Sequence, residues 1–154
     1  RVPADHAGYA DDMPTDDLPI SEYAFPGPLR DRLLAAIRSG AKTTTTLLLL
    51  ELDVDGEPLP DVGSRASVVD SSGASIGIET IEQVRIVRLA DVDEEHARNE
   101  GEGYATVAEW REAHERYWHG ADYRTWLGDP TFRVDDDTLA VLVRFRFEAT
   151  AHPA

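Results

Sequence analysis

Helical and strand patterns occur in separate blocks along this sequence, and their order limits the folds that are open to it. Helices are predicted in residues 28–40, 91–103 and 105–118, and strands in residues 43–54, 61–70, 76–89 and 138–150. Because strands and helices do not alternate, a doubly wound parallel sheet is not expected. With so few strands we expect an α+β fold in which a small mixed β-barrel is flanked by helices, since closing a sheet removes its exposed edges.

The first helix and the last strand have the strongest local signals. Leu29, Leu33 and Ile37 repeat at the helical period, and Gly40 provides a stop just after the last turn. The strand at residues 138–150 alternates large apolar residues with a second face that becomes charged toward its end.

Other segments have weaker patterns. Residues 43–54 carry leucines on both faces, which predicts a strand buried on both sides, although a helix fits the same pattern. Residues 119–136 are predicted to form a loop. Trp110, His114 and Tyr117 repeat at helical spacing, so we expect them to pack on the sheet rather than bind a ligand.

The composition of the 154 residues fits one folded domain with an acidic surface. Residues 1–20 lack a hydrophobic period, which predicts a mobile tail before a domain at residues 21–150. A formal net charge of −15 would repel a polyanion, so duplex DNA is not an expected partner. No apolar run approaches the ~20 residues that span a bilayer, so no membrane partner is expected. The absence of cysteine excludes disulfides and thiolate chemistry, and the expected compartment is the cytoplasm.

Lys42 is the only lysine among 15 basic residues. A desolvated lysine can lose its proton near neutral pH and act as a base, whereas an arginine stays charged. Lys42 precedes four threonines at the exit of the first helix, where an amine and a hydroxyl can form an activated nucleophile. The same run suits the start of a strand, and codon bias alone can leave one lysine, so both interpretations stay open at this point.

Two further pairs of polar residues are candidates for a site. His96 and Glu100 are four residues apart and share one helical face, but this spacing is too sparse to predict a zinc site. The same segment also fits a solvated helix end. Arg144 and Arg146 share one face of the last strand, where they would either hold a phosphate or a base edge or face water.

Three motifs, in order along the chain, resemble the ASCH superfamily, whose members have a PUA-like β-barrel. GAKTTT begins at Gly40, IETIEQV begins at Ile78, and a segment with EGEG at one end and WREAH at the other runs from Glu100 to His114. The resemblance spans about residues 23–148. It implies a small PUA-like mixed barrel flanked by helices.

The resemblance also implies which residues form the site. Some small members look like amidohydrolases that remove the acetyl group from acetylcytidine with a Lys, a Thr three residues later and a Glu. On this chain those positions are Lys42, Thr45 and Glu100. The residues expected to contact the substrate are Phe25, Thr43, Glu79, Arg144 and Arg146.

Three functions follow from the resemblance. The leading expectation is an amidohydrolase of an acylated pyrimidine nucleoside that needs no cofactor, in which Lys42 takes the proton of Thr45 and Glu100 passes one to the leaving amine. A second is an RNA-binding domain or a ribonuclease of RNA metabolism, which would bind single-stranded RNA and hold a divalent metal on Glu79, Glu82 or Glu100. A third is a non-catalytic module that binds a nucleotide or RNA.

Overall fold

The computed structural model describes residues 17–150, which form one five-stranded sheet packed between helices. In chain order the elements are β1 (Ile20–Ser21), α1 (Pro28–Ser39), β2 (Thr44–Leu48), α2 (Leu49–Asp55), β3 (Arg65–Val69), β4 (Ser75–Arg88), α3 (Glu94–Asn99), α4 (Val107–Trp118), α5 (Ala121–Leu127) and β5 (Leu139–Ala149). Most of the predicted tail at residues 1–20 lies outside the described residues, so its mobility stays a prediction.

The sheet is built around β4 and β5, which pair antiparallel from Gly77 opposite Ala149 to Arg88 opposite Leu139. The strand order is β1-β3-β4-β5-β2, and the pairing of β1 with β3 is parallel. The register between β4 and β5 shifts beside Glu82, an irregularity of the kind that bends a strand. The predicted α+β class and the mixed sheet are confirmed.

The expected closure of the sheet into a barrel does not occur. β1 and β2 lie at opposite edges of the described sheet. The edge of β2 is covered by α3 instead, because Thr43 N–H donates to Asn99 O at 2.8 Å and Thr44 Oγ1 donates to His96 O at 3.0 Å. A helix that pairs with the polar groups of an edge strand protects that edge without closure.

Hydrophobic clusters fill both faces of the sheet. One contains Leu34 of α1, and the other contains Trp110 of α4. β2 contributes to both clusters, with Leu47 in the first and Leu48 in the second, because successive side chains of a strand point to opposite faces. β2 therefore runs at the junction between the two helical layers.

The helices predicted at residues 28–40 and 105–118 are confirmed, and local signals bound both of them. Gly40 ends α1 with a φ of 86° in the left-handed region. Thr106 caps α4 by accepting a hydrogen bond from the backbone N–H of Glu109, whose own carboxylate accepts from the Thr106 N–H. Within residues 17–150, no helix has the length and apolar character that crossing a bilayer requires.

Two short helices differ from the sequence predictions. α2 replaces the second half of the strand predicted at residues 43–54, and the Glu51 carboxylate caps its start by accepting a hydrogen bond at 2.9 Å from the Leu48 N–H. α5 lies where a loop was predicted and is held by Tyr123, which is buried against α4. Helices of only seven residues have weak local patterns, so tertiary packing decides whether they form.

Candidate functional site

A cavity of about 520 Å³ opens between α1, the edge of β2, α4 and α5. Sites for small molecules commonly have volumes of roughly 300–1,000 Å³. The aromatic side chains in its wall are Tyr23, Phe25, Tyr104, Tyr117, Trp118, Tyr123 and Trp126. Lys42, Thr45, Thr46, Glu100 and His114 also line it. The cavity therefore combines flat apolar surfaces with a cluster of polar groups.

Lys42 is held by the chain between α1 and β2. Its backbone N–H donates to Ala36 O at 3.0 Å, and its Nζ donates to Thr44 O at 2.9 Å. Nζ also lies 3.4 Å from Glu100 Oε1, and both side chains are only 2% exposed. The structure therefore brings together two of the three residues predicted as catalytic in one buried ion pair.

Glu100 is the centre of the polar cluster, and its two oxygens face different partners. Oε1 lies 3.2 Å from His114 Nε2, in addition to its contact with Lys42. Oε2 accepts hydrogen bonds from Thr46 Oγ1 at 2.7 Å and from Trp110 Nε1. This buried carboxylate is therefore surrounded by donors.

His96 completes the set of donors around Glu100. The expected common face of these two residues is confirmed, because His96 Nε2 lies 3.3 Å from Glu100 Oε2. The same nitrogen lies 2.8 Å from Thr46 Oγ1. His96 is buried, whereas Glu94 and Glu95 are exposed, so the solvated interpretation holds for these acidic residues and not for His96.

The charge of Glu100 is fixed by these neighbours. Burial alone would raise the pKa of Glu100, but the charges of His114 and Lys42, together with hydrogen bonds from His114 and His96, hold that pKa well below its usual range. A carboxylate of this kind keeps its negative charge and orders the groups around it. It is poorly suited to carry a proton between reacting atoms.

Gly101 allows the chain of Glu100 to approach that of Lys42. Its φ of 75° is left-handed, and a Cβ at this position would lie 2.5 Å from the carbonyl carbon of Ala41. Only a residue without a side chain fits this approach without a shift. Gly101, the first glycine of the EGEG motif, is therefore needed for the two backbones to come this close at the site.

His114 has a contact that the sequence analysis missed. Its ring stacks on Trp110 with centroids 4.2 Å apart, which agrees with the expected packing role. However, it also lines the cavity and points Nε2 at Glu100, while Nδ1 lies 2.9 Å from Trp110 O. The sequence feature that could have pointed to this contact is the place of His114 on the same helical stripe as Trp110. That stripe alone predicts only that His114 is buried.

Thr45 and Thr46 both line the cavity but differ in their contacts. The hydroxyl of Thr46 is engaged by Glu100 and His96. Thr45, the predicted nucleophile, is 7% exposed and lines the same cavity as Lys42 and Glu100. The three residues predicted as catalytic thus border one space.

The residues predicted to contact substrate separate into two groups. Phe25 lines the cavity, and Thr43 uses its backbone to join β2 to α3 and β5. Glu79 is fully buried in the core, where it accepts a hydrogen bond from Tyr23 OH at 2.9 Å. The structure therefore does not bring Glu79 to the cavity wall.

Arg144 and Arg146 lie on the exposed surface of β5. They flank Glu82, with shortest distances of 3.7 Å and 3.8 Å between charged atoms. Arg144 borders a separate groove that also contains Arg85. Neither arginine lines the aromatic cavity. Across residues 17–150, no three His, Asp or Glu side chains are grouped to hold a metal ion.

Comparisons with known proteins agree with this architecture. The model of the ASCH domain family matches residues 21–148. The chain is similar to the ASCH domain from Lactobacillus crispatus JV V101, with 25% identity and a TM-score of 0.70 over 92% of this chain and 90% of that chain. It is also similar in fold to a protein of Enterococcus faecalis V583, with 22% identity and a TM-score of 0.72 over 85% of this chain and 76% of that chain. A search of curated proteins finds no match.

Proposed function

The chain belongs to the ASCH domain family, and we propose that it is an amidohydrolase that removes the acyl group from an acylated pyrimidine nucleoside. The observation that carries the proposal is the contact between Lys42 and Glu100 at the wall of an aromatic cavity. Burying two ionised side chains costs several kcal/mol per ion before their attraction is counted. A buried ion pair in a cavity that Thr45 also lines fits a catalytic site.

The aromatic walls of the cavity support a flat substrate. Aromatic side chains such as Phe25, Tyr104 and Trp126 offer faces on which a base can stack. The cavity volume of about 520 Å³ leaves room for a sugar as well as a base. A neutral nucleoside is not repelled by the net charge of −15, whereas a long polyanion is.

In the proposed reaction, Lys42 first passes its proton to water, and the neutral amine then takes the hydroxyl proton of Thr45 as Thr45 Oγ1 attacks the carbonyl carbon of the acyl amide. The bond between that carbon and the exocyclic amine then breaks and leaves an ester on Thr45. Water attacks the ester, the carboxylic acid leaves, and Thr45 recovers its proton from Lys42. Glu100 stays ionised throughout and holds the cluster in place, which replaces the proton-passing role expected from the resemblance. The proposal includes no cofactor.

Thr45 suits the nucleophile better than Thr46 does. The Thr46 hydroxyl donates to Glu100 at 2.7 Å and lies 2.8 Å from His96 Nε2. Attack through this oxygen would break hydrogen bonds that hold the buried carboxylate. Thr45 lines the cavity without being one of the donors to Glu100.

Binding of single-stranded RNA is the second candidate function. Arg85, Arg144 and Arg146 lie on one face of the paired strands β4 and β5, and their side chains are 39%, 49% and 58% exposed. Exposed arginines on one face can pair with the phosphate oxygens of a nucleic acid backbone. However, Asp93 and Glu82 lie within 4 Å of these arginines, which weakens the attraction for phosphate.

The test is an incubation with acetylcytidine and, separately, with single-stranded RNA, each with and without Mn²⁺. Release of cytidine without added metal supports the amidohydrolase. RNA cleavage that requires Mn²⁺ would instead support the ribonuclease. RNA retention without cleavage, lost in the variant Arg144→Gln/Arg146→Gln but not in Lys42→Arg, would support the binding function.

A further inference from the structure

We propose that His114 is a catalytic residue of this site and protonates the leaving amine when the amide bond breaks. This assignment rests on the proposed amidohydrolase function. The sequence motif alone gives His114 no such role. The contacts of both of its ring nitrogens carry the inference.

Both ring nitrogens of His114 face oxygens that can only accept a hydrogen bond. Nδ1 lies 2.9 Å from the backbone carbonyl of Trp110, so it must carry a hydrogen. Nε2 lies 3.2 Å from the Glu100 carboxylate, which also requires a donor. The arrangement therefore favours the imidazolium form, which has a proton to give.

The charges around His114 support the same form. Burial alone would lower the pKa of His114, but the charge of Glu100 and hydrogen bonds to Glu100 and to Trp110 O raise it above its ordinary value. Lys42 opposes this effect, since two positive charges repel. The ring centroids of Tyr104 and His114 lie 6.1 Å apart, but the Tyr104 hydroxyl donates to Glu102 and not to His114.

His114 lines the cavity and is also the most exposed charged group of the cluster. Its side chain is 14% exposed, whereas those of Lys42 and Glu100 are each 2% exposed. Glu100 holds no proton to give, because its pKa is held well below the usual range. Lys42 is already assigned to the proton of Thr45. His114 is therefore the group that remains for the leaving amine.

The proton transfers balance over the two steps. As the carbon–nitrogen bond breaks, the Nε2 proton of His114 moves from its contact with Glu100 Oε1 to the amine nitrogen, and His114 becomes neutral imidazole. Nε2 then takes a proton from the water that attacks the ester on Thr45, which restores the imidazolium. The net change is one water and one amide converted to one carboxylic acid and one amine.

The experiment compares the parent with His114→Gln on acetylcytidine across the pH range, with His119→Gln as the matched control. His119 lies at the end of the same helix and accepts a hydrogen bond from Val134 N–H, outside the cavity. We expect kcat/KM of His114→Gln to fall by about 10²–10⁴-fold. We also expect the parent's kcat/KM to decline at a pH above about 6.5, the ordinary histidine value, and this decline to be absent in His114→Gln.

Each outcome decides the assignment. A parent-like rate in His114→Gln, or an unchanged alkaline decline, overturns the role of His114 and leaves the amidohydrolase intact. A parent that releases no cytidine overturns the proposed function and this assignment together. If circular dichroism shows that His114→Gln does not fold, nitrogen-15 NMR of the parent decides. A neutral His114 at the pH of maximal rate refutes the proposal, and an imidazolium supports it.

Discussion

Lys42 and Glu100 are 58 positions apart in the sequence, yet Nζ and Oε1 lie 3.4 Å apart inside the protein. The turn after α1 supplies one partner and the end of α3 supplies the other. A buried pair of this kind is costly to form and more costly to break.

Replacing Lys42 by Met is expected to lower the free energy of unfolding by about 3 kcal/mol, because the buried Glu100 loses one of its two nearby positive charges. His114 continues to face Glu100, so we expect the loss to lie at the low end of the roughly 3–5 kcal/mol that breaking a buried ion pair costs. Urea unfolding measures the change. In Lys42→Met/Glu100→Gln the loss should be smaller than the sum of the two single losses, and simple additivity would show that the pair is not coupled.

Replacing Lys42 by Arg keeps the charge but removes the amine that the proposed reaction uses as its base. We expect hydrolysis of acetylcytidine to fall by about 10²–10⁴-fold, the usual contribution of a general base. Thr45→Ser should keep part of the rate because a hydroxyl remains, and Thr45→Ala should lose nearly all of it. Initial rates measure these effects.

The control for this series is Arg38→Lys on the exposed last turn of α1, which should hydrolyse at the parent rate. Circular dichroism checks that every variant folds. If Lys42→Arg is as fast as the parent, Lys42 is not the base.

Gly101 and Gly103 provide a matched test of the close approach at the site. Both have a left-handed φ, but a Cβ on Gly101 would overlap the backbone of Ala41, and a Cβ on Gly103 would meet nothing within 4 Å. Gly103→Ala should lose about 1–2 kcal/mol from backbone strain alone. Gly101→Ala should lose roughly a further 1–3 kcal/mol from overpacking. Equal losses in urea unfolding would contradict the predicted overlap.

Glu79 should make stability depend on pH. Burial raises the pKa of Glu79 from 4.5, and hydrogen bonds from Ser21 and Tyr23 only partly oppose that effect. A raised folded-state pKa gives stability that is complete below the unfolded-state value and is lost as pH rises through the folded-state value. Glu79→Gln should therefore be more stable than the parent at neutral pH.

The difference between the parent and Glu79→Gln should shrink to little or nothing as pH falls below about 4, where Glu79 is protonated in both states. Urea unfolding at a series of pH values measures it. A Glu79→Gln variant that is less stable than the parent at neutral pH would mean that the Glu79 carboxylate is ionised and stabilising in the folded protein.

The sequence by itself determined the elements that carry strong local signals. The apolar stripe and Gly40 specify α1, the capping pair of Thr106 and Glu109 specifies the start of α4, and regular alternation specifies β5. These signals act between residues that are close in the chain, so they can be read without knowing what else packs nearby. For the same reason, the four-residue spacing of His96 and Glu100 was enough to predict that they share one helical face.

Only the tertiary structure decided how these elements meet. It left the sheet open, because α3 covers the edge of β2, and it turned Arg144 and Arg146 away from the cavity. It also placed His114 against Glu100, although the helical stripe predicted only packing. Each of these results depends on partners distant in the sequence, and periodicity shows that a face is buried without showing which group it is buried against.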